Sequence, residues 1–187
     1  LILEIFFIHE HGLSFNVSNK ILIISSIIFF YLFPFLLVIY KGNKIDIFSK
    51  KNIIFFIFSL SIYFLLLPFF NYNLDIAGGG IFLHLSHLLL DSNHIFFIVS
   101  FFSLLTISYI IMIDQKKNLL LIILIFLLVP QTHIFHKYFD PIIIICLPLL
   151  FKLSIEKIFK KKILLILFLY FFTFYLVNLI NSLFFKL

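Results

Sequence analysis

"IFFIVSFFSLLTISYIIMI", residues 95–113, runs for nineteen residues without a charge. As a helix rising 1.5 Å per residue it covers about 28 Å, close to the thickness of a bilayer's hydrocarbon core. Runs at 21–40, 53–70 and 163–185 approach or exceed the same length. Residues 1–8 look like the tail of another span, and 119–151 forms two half-length apolar runs around a polar interruption. Spans are therefore expected near 1–8 (partial), 21–40, 53–70, 95–113, 119–135, 141–153 and 163–185. No soluble domain fits between them and no internal repeat is visible. The expected fold is all-α, a polytopic transmembrane helical bundle with a short interfacial helix over 81–92, forming one membrane domain over 1–187.

Composition points the same way. Of 187 residues 64% are hydrophobic and 12% charged, with mean hydropathy +1.25. Soluble domains are roughly half apolar and about a quarter charged. The single cysteine, Cys146, lies in an apolar run and excludes a disulfide framework. The chain opens at Leu1 inside an apolar run, without a basic start or a small-residue cleavage site, and reads as a fragment rather than as a signal peptide.

Lysine placement gives an orientation, because cytoplasmic loops collect basic residues. Loops 41–52, 114–118 and 152–162 hold eleven of the fourteen lysines, and there is no arginine. Those loops are expected to be cytoplasmic. The remaining lysines are Lys20, Lys137 and Lys186. All seven histidines fall on the opposite side: His9, His11, His84, His87, His94, His133 and His136. Glu10, Asp75, Asp91 and Asp140 join them. Outer loops must be polar in any case, but a shared outer site explains the clustering better.

The interruption, "PQTHIFHKYFDP" (130–141), fits two geometries: the tip of a spanning hairpin, or a re-entrant loop. Charge parity does not separate them, and the hairpin is preferred because it joins this segment to the other outer loops. Pro141 suits the first turn of a returning helix, and Asp140 suits its N-cap. Lys137, between two apolar runs, is a cation near the membrane surface that calls for an anionic partner. A phosphate is a natural one, with His133, His136 and Tyr138 adding hydrogen bonds. The alternative is a lysine that snorkels to water.

A second outer element reads "GGGIFLHLSHLLLDSNH" (78–94). Three glycines allow a turn, and an amphipathic helix then begins at Ile81. His84, His87, Asp91 and His94, spaced i, i+3, i+7, i+10, fall on one helical face. That stripe faces either water or a site. HLSH (84–87) and HIFH (133–136) resemble the histidine boxes of membrane di-iron enzymes, which are more numerous and in desaturases face the cytoplasm. No zinc signature such as HExxH is present. No cofactor is assigned, a divalent metal being the open alternative. Asn16-Val17-Ser18 is a glycosylation sequon, relevant only in a eukaryotic secretory membrane. Glu4 is a carboxylate inside an apolar run, which is costly and often functional.

The polytopic core, the short outer loops with an interfacial helix, and the late "HKYFDP" segment resemble the C-terminal part of a GT-C-type membrane glycosyltransferase. The resemblance implies an enzyme using a polyprenyl-phosphate-linked sugar at the outer, periplasmic or luminal, face. It implies that Lys137, His136 and Tyr138, with His133 and Gln131, contact the lipid phosphate. It places the catalytic carboxylate in a first outer loop that this chain does not carry; Asp75 and Glu10 are the acidic candidates within it. The implied partners are the lipid bilayer and a lipid-linked sugar, with no nucleic acid. Two other classes stay open: a transporter with a broken-helix site around 130–141, and a non-catalytic membrane subunit.

Overall fold

The computed structural model describes residues 16–42, 49–74, 78–127, 134–135, 139, 143 and 161–184. Among them the chain is all-α, with no strand. The helices are α1 (Val17–Gly42), α2 (Lys50–Leu66), α3 (Ile81–Leu90), α4 (His94–Ile113), α5 (Gln115–Leu127) and α6 (Lys161–Phe184). A 3₁₀ turn, Leu67–Phe69, follows α2 around Pro68. The stretches expected near 1–8 and 141–153 lie outside the described residues, apart from Ile143.

Among the described residues, three helical stretches are long and apolar enough to cross a membrane: Val17–Phe35, Asn52–Phe69 and His94–Ile113. They fit a multi-pass integral membrane protein. Their burial differs sharply, at 72%, 11% and 50%. So α1 is the central post, α4 lies half inside, and α2 turns most of its surface outward. Leu22, Ile23, Ile24, Ile27 and Leu32 of α1 are fully buried.

Both α1 and α4 carry the small buried side chains that a close pairing of membrane helices uses. Hydrophobic burial does not drive helices together in lipid, so association relies on small side chains that let backbones approach. Ser25 and Ser26 of α1 and Ser100 and Ser103 of α4 are all buried. Three of these hydroxyls donate within their own helices: Ser25 to Leu22 O (2.9 Å), Ser26 to Ile23 O (2.7 Å) and Ser103 to Val99 O (2.7 Å).

Helix ends follow ordinary capping. Asn16 Oδ1 accepts from Asn19 N–H at 3.0 Å and opens α1. Ser49 does the same for α2, accepting from Asn52 N–H at 3.4 Å. At the α4–α5 corner, fully buried Asn118 donates from Nδ2 to Ile110 O at 2.7 Å. That satisfies a carbonyl in the last turn of α4, which the helix itself leaves unpaired.

Inside α1 stands Pro34. Its missing N–H deprives Phe30 O of the usual i→i−4 donor. The Tyr170 hydroxyl, from α6, donates to that carbonyl at 3.2 Å. The Phe30 ring meets Tyr170, Phe171 and Phe174 at centroid distances of 5.4, 6.2 and 4.9 Å. The defect in α1 is thus where α6 docks.

Candidate functional site

The polar groups gather at the end of the bundle where α1 starts, α2 finishes and α4 starts. Asn71, just past the 3₁₀ turn, ties these together. Its Oδ1 accepts from Asn16 Nδ2 (2.5 Å) and Asn19 Nδ2 (3.0 Å), while its N–H donates to Asn19 Oδ1 (3.0 Å). Ser18 Oγ donates to Leu66 O at 2.6 Å. A depression of about 540 Å³ lies over this lash, lined by Asn16, Val17, Ser18 and Asn71 among others.

The next residue, Tyr72, leads to the glycine run. Gly78, Gly79 and Gly80 take φ of +108°, +90° and +81°. These are values that side-chain-bearing residues rarely adopt. The reward is a close approach: Gly79 N–H donates to Ile134 O at 2.9 Å. Ile134 sits inside the 130–141 segment and is 1% exposed. A β-carbon on Gly78 would lie 2.9 Å from Ile134 O, 3.0 Å from the Tyr72 hydroxyl and 3.1 Å from Ile134 N. Tyr72, Gly78, Gly79 and Ile134 therefore form one joint.

Burial pushes the Tyr72 phenol above its ordinary value, and a backbone hydrogen bond from Ile134 draws it partly back. A raised folded-state value means the neutral phenol is preferred in the fold. Its contribution is fully present below the unfolded value near 10 and is lost as pH rises beyond it. The expected result is a larger fall in thermal midpoint between pH 8.5 and 11 for wild type than for Tyr72→Phe. Equal falls would remove Tyr72 from the joint's titration.

The helix expected over 81–92 ends at Leu90, because Asp91 turns left-handed at φ 48°. Aspartate tolerates that region better than most residues. Asp91 is exposed, and His94 begins α4 instead of extending the stripe. Only His84 and His87 thus share the helix. Each makes a local contact: His84 Nε2 lies 2.6 Å from Gly78 O, and His87 Nε2 lies 2.6 Å from Asn93 Oδ1. His87 Nδ1 is 3.9 Å from Asp91 Oδ1. The carbonyl can only accept, so His84 carries a proton on Nε2. Both imidazoles latch α3 to the loops at its ends.

Ser86 fixes the other side of α3. Its hydroxyl donates to Ser92 O at 2.5 Å and accepts from Phe96 N–H at 3.2 Å. Phe96 is the third residue of α4, so Ser86 supplies a cap that Asn93, engaged by His87, does not. Leu83 is fully buried, whereas Leu85, Leu88 and Leu89 are exposed. The Phe82 ring reaches Phe29 and Phe30 at 6.3 and 6.2 Å. Those residues lie over three turns beyond Val17, about 20 Å of helical rise. The short helix is seated along the bundle as well as at its end.

Glu10, Asp75, Gln131, His133, His136, Lys137 and Tyr138 lie outside the described residues, as do His9, His11, Asp140 and Pro141. Their described neighbours Phe139 and Ile143 are buried, and Ile143 N–H donates to Phe139 O at 2.8 Å, a helical turn. Among the described residues no three histidine, cysteine, aspartate or glutamate side chains are placed to hold a metal.

One feature of this end escaped the sequence reading. Lys20, a turn below Asn16, stands on the rim of an apolar cleft of about 560 Å³ between α1, α2, α4 and α5. A lysine immediately before the apolar run 21–40 was the available signal. That four helices leave a space beneath it is a property of their packing. Comparison with family models, curated proteins and solved structures finds no match.

Proposed function

We propose that this chain is part of an integral membrane glycosyltransferase, acting on a polyprenyl-phosphate-linked sugar at the face opposite its lysine-rich loops. Loops 41–52, 114–118 and 152–162 are then cytoplasmic. The supporting observation is the joint between Tyr72, Gly78–Gly79 and Ile134. It ties the loop that precedes α3 to Ile134, which in the sequence follows Gln131 and His133 and precedes His136, Lys137 and Tyr138. Two elements far apart in sequence thus share one end of the bundle with the asparagine lash.

In this reading the Lys137 ammonium neutralises the lipid phosphate, and Tyr138 and the two histidines hydrogen-bond to it. The acceptor hydroxyl attacks the anomeric carbon, the sugar–phosphate C–O bond breaks, and polyprenyl phosphate leaves with the electron pair. A carboxylate takes the acceptor's proton; Asp75 and Glu10 are the candidates in this chain. His84 and His87 support the loop rather than bind the sugar. The test is Lys137→Ala in proteoliposomes supplied with a polyprenyl-phosphate sugar. Turnover should fall by about a hundredfold or more, the scale for losing one charge-stabilising group. Protease protection of the lysine-rich loops should not change. Undiminished turnover would sink the assignment.

A further inference from the structure

The cleft beneath Lys20 has a floor from α1 and α4 and walls from α2 and α5. The α5 wall runs from Leu119 to Leu127, about 12 Å of helix. Among the described residues, the polar side chains on the lining are Lys20 at the rim and two serines, Ser59 and Ser108, with no carboxylate, histidine or cysteine. An apolar lining with so few polar groups suits a hydrocarbon ligand. Water would find too few partners along such walls to fill it.

The rim is chemically different. Val17 lines both the cleft and the depression over the asparagine lash, so the two spaces adjoin. Amide side chains stand above and a lysine stands at the border of an apolar slot. That order matches a polar head, a phosphate and a hydrocarbon chain. A protein pocket of a few hundred Å³ with apolar walls and a few orienting polar groups is a typical small-ligand site.

We infer that the cleft between α1, α2, α4 and α5 holds a hydrocarbon chain of an anionic bilayer phospholipid, with its phosphate on Lys20 and its headgroup over Asn16 and Asn71. The bound lipid is a resident component, distinct from any sugar donor. The lipid fills the space between α2 and α5 over α1 and α4.

The test uses the whole chain in mild detergent, with native mass spectrometry after addition of phosphatidylglycerol or phosphatidylcholine of matched chains. One phosphatidylglycerol should be retained about tenfold more strongly than phosphatidylcholine. Lys20→Gln should abolish that preference, and Lys20→Arg should keep it. Ser59→Phe, which puts a ring into the slot, should lower retention of both lipids. If that variant does not fold, Ser108→Leu on the floor makes the same test. Equal retention of the two lipids, an unchanged preference in Lys20→Gln, or displacement by inorganic phosphate alone would overturn the inference. Retention is read without turnover, so its failure is distinct from failure of the transferase reading.

Discussion

Gly78→Ala should destabilise the protein by about 4 kcal/mol, the largest single-residue effect expected outside the apolar core. Two costs combine. An L-residue at φ +108° is strained by about 1–3 kcal/mol. The new methyl would also sit 2.9 Å from Ile134 O and 3.1 Å from Ile134 N. Both are backbone atoms and cannot swing aside as a side chain does. Ile134 must move, which breaks the 2.9 Å bond from Gly79 and uncovers a side chain that is 1% exposed. Uncovering an isoleucine costs about 1.5–3 kcal/mol and losing the hydrogen bond about 1 kcal/mol more. Relaxation makes the total less than the sum. Gly79→Ala is the control. Its methyl would meet Leu83 Cδ2 at 2.8 Å and the Tyr72 ring at 3.0 Å, both side-chain atoms. Backbone strain remains, but the neighbours can yield, so about 2 kcal/mol is expected. Thermal unfolding in detergent should rank the two variants in that order. The reverse order would mean that the loop does not rest on Ile134.

That joint also marks the limit of what is legible in the sequence. Apolar runs locate helices because a spanning helix must be apolar along its length: 21–40 falls within α1, and 95–113 is α4 less one residue. The glycines at 78–80 announce a turn, and they do turn. Nothing local says that the turn rests on Ile134, more than fifty residues away. The end of α3 at Leu90 is not legible for a different reason. Periodicity carried the stripe through Asp91 to His94, but a left-handed residue leaves no trace in an i, i+3, i+7 pattern when it is an aspartate. Lys20 was visible as one of three lysines outside the basic loops. Its cleft depends on how four helices splay, which residue type does not encode. Buried serines tell the same story: in the sequence they merely dilute apolar runs, and in the fold Ser25, Ser26, Ser100 and Ser103 are buried.

Tyr170→Phe should cost about 1.5 kcal/mol, and the cost should shrink when Pro34 is replaced as well. The tyrosine ring packs 5.4 Å from the Phe30 ring, and phenylalanine keeps that contact. What is lost is one hydroxyl, the donor to Phe30 O at 3.2 Å. In a soluble protein water would often replace it. Phe30 is 5% exposed, in a helix apolar enough to lie in a bilayer, so no water is at hand. Losing that donor then costs about 1–3 kcal/mol, toward the low end because hydrogen bonds between membrane helices are modest. Pro34→Ala restores an N–H four residues beyond Phe30, and the helix satisfies the carbonyl internally. A carbonyl oxygen has two lone pairs, so the tyrosine can still donate in that background. Its removal no longer leaves the acceptor empty. A double-mutant cycle should therefore give a coupling of about 1 kcal/mol between residues 34 and 170, with Tyr170→Phe milder in the alanine background. Equal costs in the two backgrounds would mean that α6 docks by ring packing alone and that Phe30 O finds its donor elsewhere.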